Sequence, residues 1–268
     1  MNNLSLTGEE FSAISSLVYR KAGIYLPENK RYLVYNRLVN RLRKLEIPSF
    51  GKYLEYVASK NSELGVMINL ITTNETFFFR EPVHFEFLKE LTSSDLAGKT
   101  GIRVWSAACS TGEEAYTIAM VLADGIAGGG WEVTGSDINE TVLETAKRGI
   151  YPVSQKMKIP EQYLKSFCLK GVRSNSGKIA MADELRRHVS FLKINLNEEI
   201  PKIGMFDIVF LRNVLIYFDG DMKSRVLARV LSHVKRNGYL IVSHTESLIG
   251  TGTNLELVKK KSSIYKKV

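Results

Sequence analysis

With 268 residues the chain can hold one substantial core and a smaller accompanying unit. Its 44% hydrophobic and 24% charged residues are those of a globular protein, and a net charge of +9 asks for nucleic acid, anionic lipid or an acidic protein unless the lysines are merely solvated. Two cysteines and four scattered histidines exclude a disulfide framework and offer no metal-ligand spacing.

The opening MNNLSLTGEEF has neither the basic nor the apolar region of a secretion signal, so a cytoplasmic location is expected. Thr7 followed by Glu10 reads as a capping box for a helix reaching about Lys21, with Gly23 as its stop. Further helices are predicted over about 28–45, ending before Pro48, over 50–59, and from near Ser62, so residues 1 to about 90 read as helical. Beyond Ser93 and Ser94 the pattern changes. Residues 102–107 predict a strand, 113–124 a helix, 131–135 a strand whose end is Asp137, and 139–148 a helix. Further β-rich runs lie at 191–194, 206–211 and 239–243, with a helix at 221–235 and a closing hairpin from 256–259 and 263–266. Strands alternating with helices predict an α/β fold on a parallel sheet with right-handed crossovers. The crossover from 138 to 190 exceeds what one helix needs, so about 155–190 is read as an inserted subdomain with short antiparallel strands. The longest apolar runs, 208–211 and 214–218, flank Arg212 and are far too short to span a bilayer.

In a doubly wound sheet, ligands sit beyond the carboxyl ends of the strands. The first such end runs from Val104 through small residues to Gly112 and Glu113. It is not a GxGxxG turn, and a carboxylate at the helix start would repel a pyrophosphate but suit an ammonium or sulfonium cation. Asp137, ending the second strand, can accept from both hydroxyls of a ribose, or can cap the helix that begins at Asn139. Asn195 follows the third strand, where an amide could read an adenine edge or simply form a turn.

At these residues the sequence closely resembles the CheR family of chemotaxis receptor methyltransferases. The matching blocks are 72–81 (TTNETFFFRE), 105–114 (WSAACSTGEE), 136–138 (SDI), 195–196 (NL) and 210–219 (FLRNVLIYFD), in order along nearly the whole chain. Cys109 and Ala115 depart from it, standing where a small residue and a proline are frequent. The resemblance implies an α/β fold of the class I S-adenosylmethionine-dependent type, Rossmann-like with a mostly parallel seven-stranded sheet. An all-α N-terminal domain (1–90) would precede the methyltransferase domain (91–268), which carries the small antiparallel β-subdomain. It implies that Asn74, Thr76 and Arg80 reach over the cofactor, that Glu113 holds its methionine part and Asp137 its ribose, and that Asn195 with Leu196 takes the adenine. Arg212 and Asn213 would complete the cofactor contacts. Arg80 and Tyr217 would be catalytic, facing the methyl group and the acceptor carboxylate.

The implied reaction moves a methyl group from S-adenosylmethionine to receptor glutamates, leaving S-adenosylhomocysteine. A glutamate is already ionised at neutral pH, so no general base is required. Arg80 can clamp a carboxylate through two parallel hydrogen bonds, and Tyr217 can donate one or face the sulfonium with its ring. Phe77, Phe78 and Phe79 are assigned mainly to packing. On the second helix, Lys30, Arg37, Arg41 and Lys44 share an arc beside an apolar face of Val34, Tyr35, Leu38, Leu42 and Leu45. In the family this helix meets the acidic helical bundle of the receptor, although the same face could simply be solvated. A receptor C-terminal peptide added as a strand to the inserted subdomain is a second contact the resemblance allows. A monomer is expected, without nucleic acid or membrane insertion. The rival readings are a nucleic-acid methyltransferase, a non-catalytic cofactor-binding scaffold and a small-molecule carboxyl methyltransferase. The first is disfavoured because residues 212–215 lack the prolines of amino-group methylating enzymes.

Overall fold

The computed structural model describes residues 4–72, 75–248, 254–259 and 262–268. Helix α1 (Gly8–Ala22) starts at Thr7, whose hydroxyl accepts from the Glu10 N–H while the Glu10 carboxylate accepts from the Thr7 N–H. It stops at Gly23, which is left-handed with φ 73° and whose absent Cβ would stand 3.0 Å from Met222 Sδ. A 3-10 turn at Glu28–Lys30 leads into α2 (Arg31–Lys44), followed by α3 (Phe50–Ser59) and α4 (Asn61–Ile71). Their apolar faces close on one core that includes Phe11, Ile14, Leu38, Leu42, Tyr53 and Met67. α5 (Val83–Thr92) falls within the stretch grouped as helical above, yet Phe85, Leu88 and Leu91 pack in the core of the sheet.

The rest of the chain runs through β1 (Ile102–Ala107), α6 (Glu113–Gly125), β2 (Trp131–Asp137), α7 (Glu140–Arg148), β3 (Ile150–Pro152), α8 (Glu161–Phe167), β4 (Cys168–Lys170) and β5 (Lys178–Met181). It continues through α9 (Asp183–Arg186), β6 (Val189–Lys193), β7 (Phe206–Leu211), α10 (Gly220–Leu231), β8 (Val234–Ile241), β9 (Leu255–Lys259) and β10 (Ile264–Lys267). Seven strands form one sheet in the order β6-β2-β1-β7-β8-β10-β9, parallel from β6 to β8 and antiparallel at β10 and β9. Alternate residues feed its two faces. Val104, Ile208, Phe210 and Ile241 pack with α5 and α6, whereas Trp105, Val209, Leu211 and Leu240 pack with α10. β3, β5 and β4 form a separate antiparallel sheet between α7 and β6. That sheet starts at Ile150, ahead of residue 155, and Val189 already pairs with Val133 of the large sheet.

One element is corrected. The helix expected over 221–235 ends at Leu231, because Val234 pairs with Phe206 and opens β8. The polar residues 235–238 lie inside that strand, with Asn237 at φ 62°, so pairing on a preformed sheet outweighs their turn-like composition.

Candidate active site

The chain winds from β1 outward through β2 to β6, then crosses back to β7 on the other side. That reversal opens a crevice at the carboxyl ends of β1 and β7. A cleft of about 990 Å³, its open mouth included, lies there. The turn leaving β1 is tight, with Ala108, Ser110 and Gly112 at φ 64°, 51° and 94°. A Cβ at Gly112 would stand 2.7 Å from the Ala146 Cβ, so only glycine lets α6 start this close to α7. Asp137 faces the turn from β2: its Oδ2 accepts from the Ser110 N–H at 2.9 Å and its Oδ1 from the Asn139 N–H at 3.0 Å. Burial pushes the Asp137 carboxyl up, and these N–H donors oppose it. The cap of α7 is Asn139, whose Oδ1 accepts from the Val142 N–H.

A buried charge network lies beside these strand ends. Arg212, just past β7, is buried between two carboxylates, with Nη1 2.7 Å from Glu114 Oε2 and Nη2 3.3 Å from Glu81 Oε1. Nη2 also donates to the Arg80 carbonyl, which ties the segment joining the two domains to the sheet. Glu81 accepts further from Ser243 Oγ at 2.9 Å and from the His244 N–H at 3.1 Å. Burial is the strongest single influence on Glu81 and would raise it, yet Arg212, His244 and Ser243 together hold it down at about 2. Glu246 is buried as well and accepts from the N–H groups of Asn213, Ser243 and Ile216, fixing the turn that carries Tyr217.

Most of the residues singled out from the sequence meet in this cleft. Thr76, Arg80, Asp137, Asn195, Leu196, Arg212, Asn213 and Tyr217 all line it. Asn74 lies outside the described residues. Glu113 does not line the cleft: its buried carboxylate accepts from Thr111 Oγ1 at 2.6 Å, and the neighbouring Glu114 faces the cavity instead. The Asn195 amide is occupied, donating to the Lys21 carbonyl at 2.7 Å and to Glu198 Oε1 at 3.0 Å. Asn197 donates to the Arg20 carbonyl, so these two amides satisfy the open end of α1, and Ala22 and Ile24 beyond it form part of the cleft wall. Tyr25 N–H donates to the Tyr217 carbonyl at 2.8 Å. Phe78 and Phe79 pack as expected, against Tyr151 and Tyr163, whereas Phe77 lines the cleft.

On the basic helix, Lys30, Arg37 and Lys44 are exposed and Arg41 is not. Arg41 makes a two-pronged pair with buried Glu63, at 2.8 and 2.6 Å, and Tyr53 Oη donates to the same carboxylate at 2.9 Å. Arg41→Ala is therefore expected to lower stability by about 3 kcal/mol, because Glu63 would stay buried without its cation. Urea unfolding reads this as a lower midpoint at unchanged slope. A loss under about 0.5 kcal/mol would return Arg41 to the solvated face.

Three residues of the network were missed from sequence. Glu81 and Glu114 each close a recognisable block but stand beside a residue given the role, and nothing local marks Glu246. Among the described residues no group of histidine, cysteine or carboxylate side chains is placed to hold a metal ion. The donor set suits a nucleoside bearing a cationic amino-acid tail. The carboxylates of Glu114 and Asp137 meet positive or hydroxyl groups, and Ile138, Ile194, Leu196 and Phe218 offer apolar walls for a base.

This fold and this site define a class I S-adenosylmethionine-dependent methyltransferase. The model of the CheR methyltransferase SAM-binding domain matches residues 74–264, and that of the CheR all-alpha domain matches residues 9–72. The chain belongs to the CheR methyltransferase family. It is 43% identical to the chemotaxis protein methyltransferase of Salmonella typhimurium, over 91% of this chain and 85% of that one. It is 38% identical to chemotaxis protein methyltransferase 2 of Pseudomonas aeruginosa, over 91% and 88%. With the chemotaxis protein methyltransferase of Borreliella burgdorferi it shares 35% identity over 99% and 96%. Among the described residues no helix is long and apolar enough to cross a membrane.

Proposed function

We propose that this chain esterifies glutamate side chains of chemoreceptors, working in the cytoplasm as a monomer on the receptor's helical bundle. The observation that carries the reading is that Arg80 and Tyr217 open onto the same cleft as Asp137 and Arg212. S-adenosylmethionine, when bound, supplies an electrophilic methyl group on a sulfonium. The residues of the chain then have three tasks. Asp137 holds the ribose hydroxyls, for which its two oxygens keep lone pairs beside their backbone donors. Glu114, steadied by Arg212, gives the cleft negative charge at the end of β1. Arg80 brings the acceptor carboxylate out of water and into line, with Tyr217 beside it. No proton need be removed, since the acceptor arrives ionised.

Lys30, Arg37 and Lys44 form the receptor-facing surface of the helical domain and act mainly by speeding encounter with an acidic partner. The helical domain is taken as roughly residues 4–72, since α5 belongs with the sheet, and the insertion as roughly 150–188. The edge strands β3 and β4 are where a receptor peptide would add. The experiment is transfer of labelled methyl to receptor-containing membranes, followed by release in base. Base-labile label is the expected result, whereas label appearing only on RNA or DNA would support the nucleic-acid reading. Asp137→Ala is expected to weaken cofactor binding at least tenfold by calorimetry (about 1.4 kcal/mol or more). An unchanged dissociation constant would remove it from the ribose site.

A further inference from the structure

The lip of the cleft carries a cation that the proposed reaction leaves unused. The 3-10 turn Val153–Lys158 of the insertion ends with Lys158, whose Nζ lies 5.1 Å from the centroid of the Phe77 ring. Arg80 Cζ lies 5.9 Å from the same centroid. Phe77 and Arg80 both line the cleft, while Lys158 is exposed. Its neighbour Met157 is 84% exposed, and Lys156 is exposed too. A ring, unlike a carboxylate, can hold an ammonium in place without neutralising it, at about 0.5–1 kcal/mol for an exposed contact. Two positive groups from different parts of the chain thus share one aromatic platform at the mouth of the site.

We infer that Lys158 is a substrate-binding residue, an inference that rests on the proposed glutamate-methylating reaction. While Arg80 aligns the carboxylate that is methylated, Lys158 takes a second carboxylate one helical turn away. Lys158 Nζ and Arg80 Cζ lie 5.1 and 5.9 Å from one ring centroid and so are no more than about 11 Å apart, a span within reach of two acidic side chains three or four positions apart on a helix, which are neighbours. The substrate class is accordingly a helical segment carrying paired acidic residues, with Met157 available to its apolar flank. An isolated glutamate would engage only half of this arrangement.

The test uses the full chain and a purified chemoreceptor cytoplasmic fragment, with steady-state transfer of labelled methyl. Lys158→Glu is expected to raise the KM for the fragment about tenfold, with kcat within about twofold, and Lys158→Arg to stay near the parent. Calorimetric affinity for S-adenosylmethionine should not move, which separates a binding effect from a folding defect. The parent enzyme should also prefer the fragment over a version in which the acidic residue one turn from the acceptor is glutamine. Lys158→Gln should erase that preference. An unchanged KM in Lys158→Glu, or a preference surviving in Lys158→Gln, overturns the role of Lys158 and leaves the reaction standing. If the parent places no base-labile label on the fragment, the reaction falls and the inference falls with it.

Discussion

Arg80→Ala is expected to lower methyl transfer by about 10²–10³-fold while changing stability by less than about 1 kcal/mol. The asymmetry follows from what the side chain touches. Its Nη1 donates to the Glu75 carbonyl at 2.7 Å, and its plane lies near Phe77, both at the partly exposed cleft lip. Little of the fold depends on these contacts. The proposed reaction would depend heavily on the guanidinium itself, because an anionic oxygen must give up water and approach along the carbon–sulfur axis. A planar, permanently charged fork does this better than a point charge, so Arg80→Lys should recover only a small part of the rate. Retained turnover in the alanine variant would take Arg80 out of its role.

The second large effect is on stability. Arg212→Ala is expected to lose about 3 kcal/mol at neutral pH, because Glu81 and Glu114, both partly buried, would be left without the cation between them. The loss should depend on pH, and its sign is fixed. Glu81 has an ordinary value of 4.5 and is held at about 2, so its contribution is present above 4.5 and disappears as pH falls through about 2. His84 is fully buried beside it; burial first and Arg212 second hold it at about 4 against an ordinary 6.5, so it opposes folding increasingly as pH drops below 6.5. Without Arg212 both groups move back toward their ordinary values. The deficit of the variant should therefore be greatest at pH 7 and shrink steadily toward pH 4. Urea unfolding at several pH values measures it, and a deficit independent of pH would mean that lost packing dominates over charge.

Much of this architecture is legible in the residues themselves. The Thr7–Glu10 capping box and the Gly23 stop are local chemistry and appear where they are expected. β1, β7 and α3 fall on their expected bounds because hydrophobic period and flanking breakers agree there. β8 was obscured because residues 235–238 look like a turn, and only the neighbouring strand makes them a strand. The site was readable as a set of strand ends but not atom by atom. A carboxylate pair such as Glu113 and Glu114 gives no local sign of which member turns inward; that is decided by Thr111 on one side and Arg212 on the other. The pairing of Arg41 is illegible for the same reason. Its spacing puts it among the basic residues of α2, and only the distant Glu63 draws it inward.

The end of α1 has a consequence for how the enzyme can be informed of its partner. Lys21 and Arg20 offer their carbonyls to Asn195 and Asn197, and the next turn of chain walls the cleft proposed for the methyl donor. The N-terminal helices are thus no detachable adaptor. A push on them has a single peptide corner to cross before it reaches the reagent.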